Sequence, residues 1–376
     1  MRALFISNDP LLFDAASTVR TRMRAYARAI GELHIVSLAP RGSGEAHEEA
    51  LHLYPVHGSR LFRTAILAAR ARALIESKHI EIVSAQDPFE HGRAALRAVQ
   101  GTAAKLHVQV HTDFLSPWFT RGGNWRAPQV RMPFLNRFRR RMADGVLPQA
   151  HGIRVVSERV KQSLVARYGS RIPEPSVIPI AVDATVPEPV ALPPRPFTFT
   201  LITVARLEPE KRIEDILAAL TLVAPHYPVA GLVIVGEGRE RRQLERLARS
   251  FGIRDKVVFL GARSDAWGLM RSAQAFIQAS AYEGYSRTLM EAALAKIPII
   301  TTDVGIVGEV FTGYEDVLAA PVADPTALSY HIVGLIEDME VRLSLPMHAE
   351  AKARAHLATQ GDVPARIAAD LQKAIG

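Results

Sequence analysis

TVPEPVALPPRPF, residues 185–197, divides the chain and decides how the rest is read. Five of its thirteen residues are proline. Proline fixes φ and has no backbone N–H, so it cannot complete a sheet ladder and it stiffens the segment that contains it. The stretch reads as an interdomain linker. At 376 residues the chain is long enough for a core on each side of it.

Before the linker, apolar runs rich in β-branched residues fall at 3–7, 33–38, 80–85, 106–111, 153–157 and 177–180, separated by amphipathic segments such as 61–77. After it, similar runs at 198–205, 232–235, 257–260, 275–278 and 299–302 alternate with helix-period stretches at about 212–224, 239–251, 264–272 and 286–295. Continuous apolar strands that each feed a helix predict parallel sheets covered on both faces. The expected fold class is α/β, with two doubly wound parallel-sheet domains. The expected division is a first domain at 1–184, the linker, a second domain at 198–358 and a terminal helix at 359–376. The last helical stretches, near 325–340, 341–357 and 361–375, have no strand after them, and the final one is expected to return to the first domain. Open parallel sheets bind ligands beyond the carboxyl ends of their strands, so two such domains imply a cleft between them.

The composition, 48% hydrophobic and 22% charged, is that of a globular protein. There is no cysteine, which excludes a disulfide framework and cysteine-ligated zinc. MRALFISNDP has too short an apolar run for a secretory signal, and no window approaches the ~20 apolar residues of a membrane span. A cytoplasmic location is expected. Charge is uneven: residues 1–196 hold 27 Lys and Arg against 16 Asp and Glu, residues 197–376 hold 19 against 22. A basic first half suits an anionic partner. A simple preference for arginine is the alternative, since only 8 of the 46 cations are lysine.

Several stretches carry chemistry. In YEGYSRTLMEA, residues 282–292, Glu283 falls in a strand-to-helix loop and Glu291 within the following helix. The exposed N–H groups and positive dipole end of such a junction suit a phosphate. Two carboxylates beside it could accept hydrogen bonds from hydroxyls, and hydroxylated groups flanking a diphosphate describe a sugar nucleotide. Thr288 to Glu291 also fits a capping box, which would occupy Glu291 structurally. In TVARLEPEKRIEDILAAL, residues 203–220, Arg206 and Lys211 flank a strand's carboxyl end, where they could neutralise a diphosphate or pair with Glu208, Glu210 or Glu214. LVIVGEGRER, residues 232–241, is strand, Gly236-x-Gly238, helix, without the third glycine of a dinucleotide fingerprint. His111 ends a strand, either as a polar terminus or as a group facing the cleft. No metal-ligand spacing, nucleophile elbow or P-loop is present. In RMPFLNRFRRRM, residues 131–142, Phe134, Phe138 and Met142 recur at helical spacing among Arg131, Arg137, Arg139, Arg140 and Arg141. That pattern fits a membrane-surface helix or an ordinary core stripe with a basic outer face.

The order of these elements closely resembles the family 4 retaining glycosyltransferases of the GT-B fold: Arg206-x4-Lys211, then VGEGRE, then VVFLG at 257–261, then the Glu283-x7-Glu291 element. The resemblance is strongest over 197–310 and fainter at VVSERVKQSL (155–164) and VIPIAVD (177–183). It implies that the second domain holds a nucleotide-sugar donor such as a UDP- or GDP-sugar, with no metal and no other cofactor. Arg206 and Lys211 would contact the diphosphate, Glu291 the ribose and Glu283 the donor sugar. In the Tyr285, Ser286, Arg287 and Thr288 donor loop the backbone N–H groups of Ser286–Thr288 would meet the distal phosphate or the sugar. His111 would contact the sugar from the other side, and the Gly261–Arg263 turn the base. Ser17 stands where the family carries a phosphate-binding glycine pair, and Tyr-Ser-Arg-Thr replaces Phe-Gly-Leu-Pro after Gly284. The implied activity is retaining glycosyl transfer to a glycan or lipid-linked acceptor in cell-envelope or exopolysaccharide synthesis. The protein is expected on the inner face of the cytoplasmic membrane, held through residues 131–142. A nucleotide-sugar 2-epimerase or a non-catalytic scaffold of the same fold are the alternatives. Nucleic acid is not an expected partner, because no binding module accompanies the charge.

Overall fold

The apolar runs pair as parallel strands in two separate sheets. The computed structural model describes residues 1–40, 42–58, 62–121 and 133–376. Its contacts divide the chain into two compact units. Unit 1 comprises Met1–Leu115, Phe134–Pro179 and Gln360–Gly376, and unit 2 comprises Ser116–Pro133 and Ile180–Thr359.

Unit 1 is built on strands β1 (Arg2–Ser7), β2 (Glu32–Leu38), β3 (Ala46–His47), β4 (Leu51–Val56), β5 (Ile82–Ala85), β6 (Lys105–Val110), β7 (Gly152–Val155) and β8 (Ser176–Val177). They lie in the order β3-β4-β2-β1-β5-β6-β7-β8. Every neighbouring pair is parallel except β3 with β4. Helices α1 (Thr18–Ile30), α2 (Arg63–Lys78), α3 (Glu90–Val99), α5 (Pro133–Val146) and α6 (Glu158–Tyr168) belong to this unit, while the short α4 (Pro117–Arg121) belongs to unit 2. Strands β3 and β4 escape the reading from sequence. Pro55 interrupts the apolar pattern of β4, yet it sits opposite Ser37 of β2 near the sheet's edge, where a missing N–H is tolerated.

Unit 2 carries β9 (Phe199–Val204), β10 (Ala230–Val235), β11 (Val257–Gly261), β12 (Ala275–Ile277), β13 (Ile299–Thr302) and β14 (Leu318–Ala320), all parallel, in the order β11-β10-β9-β12-β13-β14. Helices α7 (Ile213–Val223), α8 (Arg241–Ser250), α9 (Ala266–Met270), α10 (Arg287–Leu294), α11 (Pro325–Glu337) and α12 (Met339–Gln360) accompany them. Leu232, Val233, Ile234 and Val235 are all fully buried, as a strand covered on both faces requires. Leu201, Ile216, Leu220, Ile277 and Leu328 centre the core.

The last helix, α13 (Val363–Ile375), packs on α1, β6 and β7 of unit 1. Its Asp370 Oδ2 meets His107 Nε2 at 3.0 Å in the interior. Gly152 makes room for it, since a Cβ there would lie 2.6 Å from the Ala374 Cβ. The proline-rich stretch has no helix or strand and lies along α9: Val190 N donates to Gly268 O at 2.9 Å and Arg271 Nη1 to Pro187 O at 2.7 Å. A side chain at Gly268 would meet Glu188 O at 2.7 Å, so the glycine lets the linker lie close.

Helix α5 resolves one ambiguity of the sequence. Phe134 is 80% exposed and Phe138 51%, so the aromatic stripe is not core-facing. Arg139 pairs with Glu90 at 3.1 Å. Arg131 lies outside the described residues. Among the described residues no helix is long and apolar enough to cross a membrane.

Candidate nucleotide-sugar site

The carboxyl edge of the unit 2 sheet gathers most of the singled-out residues. β9 ends at Val204 and runs into a loop that turns through a 3-10 segment, Pro209–Lys211. This loop is tied to its neighbours by backbone. Leu207 N donates to Glu237 O at 2.9 Å, Glu240 N to Leu207 O at 3.0 Å, and Ala281 N to Glu210 O at 2.8 Å. The two glycines of VGEGRE permit that approach. A Cβ on Gly236, whose φ is +142°, would stand 1.8 Å from Ala205 O, and one on Gly238 would stand 2.3 Å from Leu207 O. The close approach read from this motif is therefore to the Arg206–Lys211 loop, and the glycines fix that loop's position.

Lys211 Nζ reaches Glu283 Oε1 at 2.5 Å, and Ser280 Oγ donates to the same oxygen at 2.7 Å. Both side chains of the pair keep part of their surface open, 16% for Lys211 and 14% for Glu283. An ammonium has three donors, so Lys211 can hold Glu283 and still present N–H to an anion. Arg206 is 72% exposed and pairs with Glu210 at 3.1 Å. Such an exposed pair contributes about 0–1 kcal/mol and is easily exchanged for a phosphate. Next in the chain, Arg212 adopts a left-handed φ of 47° as N-cap of α7 and forks onto buried Asp215 at 2.6 and 3.0 Å. Its guanidinium lies over the Trp118 ring, and Phe119 packs edge-on to Tyr282. The segment after β6 thus braces both loops of the site.

The second loop leads from β12 into α10. Ser286 is the N-cap of α10 with φ 73°, a left-handed conformation that disfavours a non-glycine residue. It occupies the place where the family has glycine. The conformation is held by Ser286 Oγ donating to Gln278 Oε1 at 2.9 Å, joined by Thr288 Oγ1 at 3.2 Å. Gln278 is buried, and its Nε2 has no hydrogen-bond partner among the described residues. The first N–H groups of α10 follow directly, the anion-binding end of a helix.

Two expectations, the capping box and the Tyr285 contact, need correction, and the other singled-out residues are placed as follows. The capping box at Thr288 does not form. With Ser286 as N-cap, Glu291 falls on the fifth residue of the helix and accepts from Arg287 Nε at 2.7 Å. Burial raises the pKa of Glu291, opposed by the Arg287 charge. Tyr285 does not offer its side chain to a ligand: the ring is 1% exposed and its hydroxyl meets His356 Nε2 at 3.0 Å. Arg263 forks onto Asp265 at 2.8 and 2.6 Å, and Gly261, φ +74°, ends β11, three strands from β12 along the same sheet. Ser17 belongs to unit 1, where its hydroxyl accepts from Arg20 N at 3.0 Å and donates to Leu11 O at 2.6 Å, so it works as the cap of α1. His111, also of unit 1, faces Gln109 Oε1 at 3.1 Å, while Gln109 is in turn held by Arg154 at 2.8 Å.

Sequence reasoning misses Gln278, Ser280 and Thr302, whose hydroxyl donates to Ser280 O at 2.6 Å. The polar residues recurring at period two in FIQAS, 276–280, are the available signal. Glu214, on the first turn of α7, has its carboxyl pushed up to about 7 by burial and then by the Asp215 charge.

The His111 imidazole is pushed down to about 3, first by burial and then by the Arg154 and Arg22 charges. The unfolded imidazole binds its proton near 6.5, the folded one only near 3. Across that window the unfolded chain carries the extra proton, so the fold loses stability as the pH falls. Urea titrations from pH 7 to pH 4 are expected to show this acid loss, and His111→Gln is expected to reduce its slope.

Two family models match the chain, one described as glycosyl transferases group 1 over residues 192–354, the other as glycosyltransferase family 4 over residues 15–186. Together they cover nearly all of it. The chain belongs to the family 4 glycosyltransferases. Curated relatives agree. A glycogen synthase of Mycobacterium tuberculosis is 30% identical over 202 residues, 53% of this chain and 47% of its own length. The N-acetyl-alpha-D-glucosaminyl L-malate synthase of Bacillus anthracis is 26% identical over 145 residues, 39% of this chain and 38% of its own. This family member therefore spans less than half of the relative's length in each match. Among solved structures, sucrose-phosphate synthase from Thermosynechococcus elongatus gives a TM-score of 0.78 at 17% identity, covering 96% of both chains. The Anabaena protein HepE, solved with UDP-glucose, gives 0.74 at 17% identity over 98% of both chains. These likenesses establish the GT-B type of α/β fold.

Proposed function

We propose that this family member transfers a sugar from a nucleoside-diphosphate sugar to an acceptor hydroxyl, with retention of configuration. The observation that carries the reading is the cluster at the carboxyl edge of the unit 2 sheet: Lys211 against Glu283, beside the amino end of α10. A donor diphosphate would lie on Lys211, on Arg206 swung from Glu210, and on the α10 N–H groups. These supply the positive charge that a departing diphosphate needs, aimed where negative charge grows as the glycosidic bond breaks. Glu283, fixed by Lys211 and Ser280, would accept hydrogen bonds from donor-sugar hydroxyls, and Glu291 from the ribose. The leaving phosphate would take the acceptor's proton on the same face. HepE bound to UDP-glucose supports a uridine nucleotide as the first donor to test. A thermal-shift screen of UDP, GDP, ADP and their common sugars tests the reading: at least one is expected to raise Tm by mass action. A flat response to all of them would refute it.

The exposed Phe134 and Phe138 on α5, with the exposed Arg137 and Arg141, favour a second element of the proposal. This helix would rest on an anionic membrane surface and bring the enzyme to a lipid-linked acceptor of envelope or exopolysaccharide synthesis. Sedimentation with anionic vesicles at low salt is expected, and the double substitution of Phe134 and Phe138 by serine is expected to abolish most of it. Equal sedimentation of the variant would exclude the helix as anchor.

A further inference from the structure

The strand register of unit 1 builds a cluster that sequence spacing conceals. His34 of β2 lies directly opposite His52 of β4, and His52 opposite His47 of β3, so three imidazoles form a row across three strands. Glu32 precedes His34 by two residues and shares its face. Glu32 Oε1 lies 2.9 Å from His34 Nε2 and 3.7 Å from His52 Nε2, and one ligand atom from each of the three residues falls within 4.8 Å of the others.

The outward-facing atoms are held as well. His34 Nδ1 meets the buried Tyr54 hydroxyl at 3.1 Å, so Nε2 is the nitrogen left to face Glu32. His52 Nδ1 meets His47 Nδ1 at 3.3 Å, which again turns Nε2 toward Glu32. Arg2 Nε donates to Glu32 Oε2 at 3.2 Å, leaving Oε1 to the imidazoles. Outer partners that fix the tautomer and orientation of each ligand are what a metal centre needs. An ordinary histidine–carboxylate hydrogen bond needs only one imidazole.

We propose that Glu32, His34 and His52 bind one divalent late first-row cation of the zinc class. Two imidazoles and a carboxylate suit such an ion and leave a further position for water. The residues lie toward the amino ends of β2 and β4, at the edge opposite the one where His111 follows β6, so the ion's role is structural. It joins β4, the second strand from the edge, to β2. Arg2 and Lys78, which lie close, oppose the cation's charge, so the site is of moderate affinity.

The test uses the full chain without an affinity tag, stripped with chelator at pH 7.5. Zn2+ is titrated in competition with a chromophoric chelator, and Co2+ substitution is followed by its visible absorption. One equivalent is expected to bind with the strong absorption of four-coordinate Co2+, and Zn2+ is expected to raise Tm. His52→Gln and Glu32→Gln are each expected to weaken binding at least tenfold, and His47→Gln to weaken it about tenfold as an outer partner. His34→Ala is unsuited because His34 is fully buried, whereas the partly exposed His52 can be changed without opening the core. The proposal is overturned if the wild-type chain binds no Zn2+, or if His52→Gln and Glu32→Gln bind as the wild type does. A wild-type-like UDP response in His52→Gln would show that the metal site and the donor site fail independently.

Discussion

Lys211→Ala is expected to lower turnover about 10²–10³-fold, the scale seen when a preorganised charge at a developing anion is removed. The same substitution is expected to weaken UDP binding by about 1.5–3 kcal/mol, the range for a charge-assisted hydrogen bond. Both effects follow from one position. Lys211 closes the 3-10 turn, and its ammonium is oriented by Glu283, which Ser280 steadies from behind. Arg206→Ala is expected to do less, because its guanidinium is mostly exposed and must be recruited from Glu210. Steady-state kinetics together with calorimetric UDP titration separate the two terms. If Lys211→Ala left both kcat and UDP affinity unchanged, the ammonium would have no part in donor chemistry.

Gly236→Ala is expected to be the most damaging change of stability. The added carbon would stand 1.8 Å from a backbone oxygen, and the positive φ adds strain. Backbone of two strand ends cannot yield as a flexible side chain can, so a loss of about 3 kcal/mol or more is expected. That corresponds to a drop in Tm of roughly 6–12 °C for a unit of this size. Gly252 supplies the control. It too has positive φ, +71°, but nothing lies within 4 Å of its absent Cβ. Gly252→Ala is therefore expected to lose only the conformational part, about 1 kcal/mol. In scanning calorimetry, equal losses at the two positions would show that the VGEGRE turn does not brace the Arg206–Lys211 loop.

The parts of the fold legible in the sequence are those with one dominant signal. The strands of both sheets that are buried on both faces stand out as apolar runs, and the stiff proline segment separates them. Strand β4 does not stand out, because His52, Tyr54 and Pro55 break the pattern while register and edge position make it a strand. The same register assembles Glu32, His34 and His52, which no local motif could announce. At the candidate site, spacing identifies Lys211 and Glu283 but not that they touch, since 72 residues separate them. The capping box it offers as an alternative for Glu291 fails because Thr288 lies inside α10 and Ser286, in a left-handed conformation more usual for glycine, is the N-cap. Tyr285 is misplaced because a loop aromatic beside a glutamate reads as a ligand contact until burial is known.

The most direct test is a crystal of this chain soaked with UDP-glucose and, separately, with GDP-mannose. Diphosphate density is expected within about 3 Å of Lys211 Nζ and the first N–H groups of α10, the contact distance of a charge-assisted bond, with a sugar hydroxyl on Glu283. A sugar nucleotide bound elsewhere, with Lys211 and Glu283 still paired and untouched, would contradict it.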